Sequence, residues 1–599
     1  MRHRVLQTVA MILVLSGWMA GPVWPQEYNL APPETPVNLL WIHHSTGAYW
    51  SHKLDYGVSR TWNDGVAGVR RGPDDGIYAT RHDAFENGGN GEVALYNNNY
   101  ILHHLSYGST LADGEHYTDY CHWYRKFRRY LDSGDATNYV NDVGGEDLVH
   151  CYAQDISYSE QGSDEFTSAN VSAHTNQVIM FKSCFPNSAI APPDTSGGLP
   201  ANPTISDARA WVAPGGGYWS WEVANPAAGP INFIQAEYLA LLDVFGEARY
   251  RNILFVAWVA PPEVDSTSAY ALALSNWFEN EWLSGYAHNN VLLFNFWATQ
   301  AGETEGPAFM RKHNHSRYNP FIGGRDYVGP GDPDYVDSLR TAFDTWGDSH
   351  PSHFGGAVAT KEFIHLLNIQ WNRLHNVAPS GPTGYPTNGR TAFFPLDSSY
   401  TGSLPTPHVS HGTIDGVDCL IFDGTASATL NLGDATVVGP GGAFSYCYWY
   451  RPNDDSVTTY SGTPVLTKEE VFSSIHYADY EIDSHINTTF GGEPLVSVDH
   501  HNNLVDNETW THVTFTYNGS EARNYIDGVQ IMETTATVRT VTDNANPLVL
   551  GGGATDYLAG GIREVAIYSR ALTPADVRQI FNANAGAMQP SLVRSWREY

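Results

Sequence analysis

An α/β lobe followed by an all-β sandwich is the fold class this sequence predicts, and three features predict it. Up to about residue 376, short apolar runs alternate with stretches of helical spacing. From Val377 to Arg390 the composition turns to Pro, Gly, Thr and Asn, the mark of a linker. Beyond it, short alternating strands separated by turns take over. The first texture reads as a parallel sheet with helices on both faces, the second as an antiparallel sandwich.

Each element follows in order. Arg2 and Arg4 precede an apolar stretch from Val5 to Ala20, interrupted by Gln7, Thr8, Ser16 and Gly17. It is too short and too broken to span a bilayer and reads as a bacterial-type export signal, taken as residues 1–26. Val37 to Ile42 is a strand. The segment from Val93 to Leu105 holds a helix end and then a strand at Tyr100-Ile101-Leu102. Gln177 to Phe181 is a buried strand, and Pro230 to Gly246 is a helix carrying Phe233, Tyr238, Leu239, Leu242 and Val244 at helical spacing. Ile253 to Val259 is a strand, Ala269 to Leu283 a helix, Val291 to Phe296 a strand and Ala357 to His375 the last helix. These define a first domain over residues 37–376 and a linker over 377–390. A second domain over 391–585 contains strands such as Cys419 to Phe422, Phe444 to Arg451, Thr511 to Tyr517 and Leu548 to Leu550.

Composition narrows the function. The 599 residues are 13% aromatic but only 16% charged, with 56 Gly and 34 Pro, which suits a loop-rich extracellular protein. The net charge of −32 argues against nucleic acid or an anionic membrane as partner, since both demand basic patches. Export permits disulfides, and Cys121 with Cys151, or Cys419 with Cys447, would each close within one domain, leaving Cys184 over. The 25 histidines raise a metal-dependent hydrolase as an alternative. No His-x-x-x-His with a companion Glu occurs, however, and no Cys spacing resembles a zinc knuckle, so no metal ligands are assigned.

Two segments carry candidate chemistry. In Trp41-Ile42-His43-His44-Ser45-Thr46-Gly47 an apolar strand ends on a turn bearing a serine. Some three hundred residues on, Asp348-Ser349-His350-Pro351 sets a carboxylate two residues from an imidazole, just before a helix. A serine hydroxyl needs a base to take its proton, and that base needs a third group to fix its tautomer. Ser45, His350 and Asp348 supply the three parts. His353 is a rival base, and His43 and His44 flank the serine as pocket candidates. Read separately, Ser45 as a helix cap and Asp348 as a capping carboxylate stay open.

The two segments together resemble the SGNH (GDSL-like) hydrolase superfamily in a divergent form, over roughly residues 37–375. In that family a serine follows the first strand, where His43-His44-Ser45-Thr46-Gly47 stands here. The Asp-x-His spacing at 348–350 is similar to that of related polysaccharide O-acetyltransferases. The resemblance implies a flavodoxin-like fold and an oxyanion site supplied by Gly108, in Ser106-Tyr107-Gly108-Ser109, and by Asn187, in Phe181-Lys182-Ser183-Cys184-Phe185-Pro186-Asn187-Ser188. It requires no cofactor for catalysis.

Residues from about 390 to 585 resemble a LamG-like jellyroll of the concanavalin A-like group. The matching pieces are Phe393-Phe394-Pro395-Leu396-Asp397, Phe422-Asp423-Gly424, Tyr448-Trp449-Tyr450-Arg451, Thr509-Trp510-Thr511-His512-Val513, Tyr525-Ile526-Asp527-Gly528 and Gly561 to Leu572. This resemblance implies glycan binding and admits a Ca²⁺ ion in the jellyroll, although Arg563 stands where the family usually has Asp. The two resemblances together imply a secreted, periplasmic or cell-surface serine esterase that removes acyl groups, best acetyl, from a polysaccharide. The alternatives are a non-catalytic surface or adhesion protein, a metal-dependent hydrolase and an O-acetyltransferase.

Overall fold

A computed structural model describes residues 29–35, 37–43, 100–106, 176–183, 190–218, 229–259, 269–294 and 353–377 of the first half. It also describes short pieces at 93–94, 123–124, 127, 156–157, 165–166, 317–319 and 324–326. In the second half it describes 384–453, 462–476, 482–486, 496–498, 510–535, 541–552 and 557–588.

The first lobe is built on a six-stranded sheet. Its strands are β1 (Val37–His43), β2 (Val93–Ala94), β3 (Tyr100–Ser106), β4 (Val178–Lys182), β5 (Leu254–Trp258) and β6 (Val291–Phe294), in the order β2-β3-β1-β4-β5-β6. All neighbours from β3 to β6 pair in parallel, and only the edge strand β2 is antiparallel. The helix end expected near Val93 is therefore this short strand. β4, β5 and β6 are buried at every residue, which is why their sequences are continuous apolar runs.

Among the described residues four helices flank or follow these strands: α1 (Ile205–Val212), α2 (Ile231–Phe245), α3 (Ala269–Trp277, continuing as a π-turn to Trp282) and α4 (His353–Leu374). α2 and α3 share one core cluster with Ile42, Phe181 and Phe255. α4 shares another, on different sheet residues, with Trp41, Met180 and Trp258. α4 begins four residues earlier than the sequence pattern suggested, so Gly355 and Gly356 lie inside its first turn.

The second lobe is a sandwich. In chain order its strands are β7 (Arg390–Phe394), β8 (Val409–Ile414), β9 (Val417–Asp423), β10 (Thr429–Gly433), β11 (Phe444–Pro452), β12 (Thr463–Lys468) and β13 (Phe472–His476). There follow β14 (Ile482–Ile486), β15 (Val496–Val498), β16 (Thr511–Tyr517), β17 (Glu521–Ile526), β18 (Val529–Thr535), β19 (Leu548–Gly551) and β20 (Ala559–Tyr568). The larger sheet runs β8-β9-β20-β11-β16-β17-β18, with β7 on β20; the smaller runs β10-β19-β12-β13-β14-β15. All pairs are antiparallel. A helix not expected from the sequence, α5 (Pro574–Met588), packs on the outer face of the larger sheet through Val577, Ile580 and Phe581.

Cys419 and Cys447 are free and buried, so the disulfide between them does not form. They lie on β9 and β11, with β20 between. Two strand spacings are about 9–10 Å, beyond the roughly 7 Å that a disulfide tolerates between Cα atoms. Cys121, Cys151 and Cys184 lie outside the described residues.

Candidate functional site

The strand order fixes where a site belongs in the first lobe. β1 sits in the middle, and the chain builds β3 on one side of it before crossing to β4 on the other. In an open parallel sheet such a switch leaves a crevice beyond the carboxyl ends of the strands. His43 is the last residue of β1, at that edge, with Ser106 as its register partner on β3.

α4 runs opposite to the parallel strands. Phe363 packs on Trp258 and Phe294, at the carboxyl ends of β5 and β6, with ring centroids 5.0 and 5.2 Å apart. Further along, Asn368 accepts a hydrogen bond from the hydroxyl of Tyr100, the first residue of β3, at 3.1 Å. Gln370 donates to the Asn289 carbonyl, just before β6, at 2.8 Å. The amino end of α4, His353, therefore lies on the carboxyl side of the sheet. Ten residues of helix separate His353 from Phe363, about 15 Å of rise.

Of the residues singled out from sequence, His43 ends β1 and His353 begins α4. Ser45, His44, Gly108, Asn187, Asp348 and His350 lie outside the described residues. Trp123 is fully buried and its indole donates to Ser183 Oγ at 2.8 Å. Beside it, the Tyr124 amide donates to Glu237 Oε1 at 2.8 Å, as does the Tyr218 hydroxyl at 3.3 Å. These bonds pin the 123–124 segment between β4 and α2.

Lys182 and Glu237 were not anticipated. Lys182 is fully buried at the carboxyl end of β4, where its ammonium donates to the Ser183 carbonyl at 2.9 Å. The signal was in the sequence: a single lysine closing an otherwise apolar strand. Glu237 had no comparable signal, because an acidic residue at helical spacing usually faces water.

In the sandwich, the aromatic residues of β11 are not a sugar platform. Tyr446, Tyr448 and Tyr450 are fully buried between the sheets. Their hydroxyls bond Ser484 Oγ at 2.8 Å, Ser474 Oγ at 2.7 Å and His476 Nδ1 at 3.1 Å. Trp449, on the opposite face, lies against His512 and Phe581 with centroids 5.0 and 5.7 Å apart. Burial pushes His476 down to about 3 and His512 down to about 4, so both are neutral near pH 7.

Arg563 decides the cation question at its own position. Its guanidinium donates to the Asp418 carbonyl at 2.7 Å and lies 3.6 Å from an Asp397 carboxylate oxygen and 3.3 Å from Glu564 Oε1. The side chain already supplies the positive charge these oxygens face, so the donor set does not fit a divalent ion there. Among the described residues no cluster of three or more His, Cys, Asp or Glu is arranged to hold a metal, and no helix is long and apolar enough to cross a membrane.

Residues 423–578 match the Laminin_G_3 family, described as the concanavalin A-like lectin/glucanases superfamily. With the antiparallel sheets above, this makes the second lobe a LamG/concanavalin A-like jellyroll. Comparison with curated proteins gives no match. Among solved structures, domain 4 of AbnA, a GH43 extracellular arabinanase from Geobacillus stearothermophilus in complex with arabinotriose, is 18% identical at TM-score 0.23, covering 32% of this chain and 86% of that one. The binding domain of Paraclostridial Mosquitocidal Protein 1 is 16% identical at TM-score 0.25, covering 32% of this chain and 47% of that one. The ligand binding domain of Botulinum neurotoxin serotype D, in complex with N-acetylneuraminic acid, is 15% identical at TM-score 0.25, covering 32% and 45%. Likeness at this level carries no argument about ligand.

Proposed function

We propose that the protein is an exported serine hydrolase that removes acyl groups, best acetyl, from a polysaccharide, with the jellyroll binding the glycan. The observation that carries the reading is the sheet order. β1 stands at the switch point of a parallel sheet, Ser45 comes two residues after its end, and α4 starts three residues after His350 with its amino end on the same side.

In this mechanism His350 takes the proton from Ser45 Oγ as that oxygen attacks the ester carbonyl. Asp348 holds the imidazole in the right tautomer and stabilises its cation. The oxyanion is held by the amides of Ser45 and Gly108 and the side chain of Asn187, donors worth about 3–4 kcal/mol each. Collapse expels the sugar alkoxide, which leaves with the proton from His350. Water, activated by the same imidazole, then releases the acyl group as carboxylate. The small acyl group follows from the absence of any long apolar run in the sequence suited to an acyl channel. The glycan ligand follows from the jellyroll family of residues 423–578.

The test is release of nitrophenol from nitrophenyl acetate by the purified chain. Turnover lost in Ser45→Ala and indifferent to a chelator supports the reading. Turnover that survives Ser45→Ala but not the chelator points to a metal-dependent hydrolase. No turnover in the wild type leaves a surface or adhesion protein, and a rate that rises with an added sugar acceptor identifies a transferase.

A further inference from the structure

α4 belongs to both lobes. Every residue from Phe363 to Trp371 is buried. One side meets the parallel sheet through Phe363, and Asn368 donates to the Leu30 carbonyl at 2.9 Å. The other side meets the jellyroll. His365 Nε2 bonds the Asp527 carbonyl at 2.9 Å, and its ring stacks on Phe581 at 5.2 Å and 14°. Phe581 stacks in turn on Trp449 at 5.7 Å and 26°. Asp527 and Gly528 form the two-residue turn between β17 and β18, with φ values of 51° and 79°. A Cβ on Gly528 would lie 3.0 Å from Phe581, so the turn is shaped to α5, whose Phe581 it touches. A single apolar cluster runs from Leu39 and Trp258 through α4 to Trp449, Trp510 and Phe581.

We infer that the jellyroll is a fixed wall of the first lobe, with Phe581 and the Asp527–Gly528 turn acting as positioning residues for α4. A tethered binding module would raise the local concentration of polymer and leave the chemistry on small esters untouched. A wall that sets the course of α4 affects both lobes at once. The kinetic part of this inference rests on the hydrolase reading; the folding part does not.

The experiment uses the full chain, as wild type, Phe581→Ala and the milder Phe581→Leu. Thermal unfolding is followed by calorimetry, and nitrophenyl acetate turnover is measured well below the transition. The expected result is one cooperative transition that moves down in both variants, Phe581→Ala the further. With it, kcat should fall about ten- to a hundredfold in Phe581→Ala, KM should stay near wild type, and Phe581→Leu should recover most of the loss. Two separate transitions, only one of them shifted, overturn the shared core. A single transition with kcat unchanged overturns the positioning role. If the wild type shows no turnover, the hydrolase reading has failed, and the number of transitions alone decides whether the jellyroll is a wall.

Discussion

The strands of the two lobes carry polar side chains differently. In the jellyroll such side chains project between the sheets: the hydroxyls of Tyr446, Tyr448 and Tyr450 reach across to Ser484, Ser474 and His476, and Ser484 donates onward to Asn524 at 2.7 Å. In the α/β lobe, β4, β5 and β6 are apolar but for Lys182, and the residues with candidate chemistry fall on segments beyond the strand ends. The strongly shifted histidines of the described residues are therefore on the side with no proposed chemistry. Burial in a bonded core depresses an imidazole as effectively as an active site does, so a shifted histidine is a site marker only when it also faces a cleft.

The sharpest way to break this contrast is Ser45→Ala. If the chemistry lies on the first lobe's strand-end segments, the substitution lowers kcat for nitrophenyl acetate by about 10⁴-fold or more. Denaturant unfolding should hardly move, since the substitution removes a single hydroxyl and no apolar group. Trp449→Ala tests the opposite side. Trp449 is fully buried on the outer face of the larger sheet, and deleting its indole leaves a cavity beside His512 and Phe581. The expected loss is about 3–5 kcal/mol, read as a lower midpoint in guanidinium at unchanged slope.

A third prediction uses the buried histidines. Both have native values depressed below the ordinary 6.5, to about 3 and about 4. The unfolded chain therefore binds their protons first. Their contribution is fully present above pH 6.5 and is lost as pH falls from there toward the native values. At pH 5 each costs about 2 kcal/mol relative to neutral pH, from 1.5 pH units at 1.36 kcal/mol per unit. Unfolding free energies at pH 7 and pH 5 should show it. His476→Asn, compared with wild type at the two pH values, should show a smaller decline.

Much of the fold was legible in the sequence. The parallel strands announced themselves as continuous apolar runs because both faces are covered, and the jellyroll strands as short runs between turns. What escaped was whatever tertiary contact decides. The start of α5 is signalled by Thr573-Pro574-Ala575-Asp576, a capping box with proline at the first helical position. The sharing of α4 between lobes had no local sign: nothing in the helix sequence marks His365 as the residue that bonds the Asp527 carbonyl of the jellyroll at 2.9 Å. The Cys419–Cys447 pairing failed because spacing along a chain says nothing about a strand inserted between. Of the candidate site, sequence supplied the residue types and the strand they follow. The described structure adds the sheet order and the direction of α4.

Glu564 provides the finest test, because its pH dependence has the opposite sign to that of the histidines. It occupies a left-handed position on β20 with φ of 56°. Its carboxylate accepts from the Tyr385 hydroxyl at 3.0 Å and the Asn584 amide at 2.6 Å, tying linker, sheet and α5 together. Burial raises its value, and the Arg563 charge and the hydrogen bonds from Tyr385 and Arg563 only partly oppose this. The native state thus holds this proton more tightly than the unfolded chain does. Its stabilising contribution is complete below the unfolded value near 4.3 and declines as pH rises through the native value. Glu564→Gln removes the titration while keeping the size of the side chain. The difference in unfolding free energy between variant and wild type should move in favour of the variant between pH 4 and pH 7. A difference that stays constant, or moves the other way, would mean that the Arg563 charge outweighs burial at this junction.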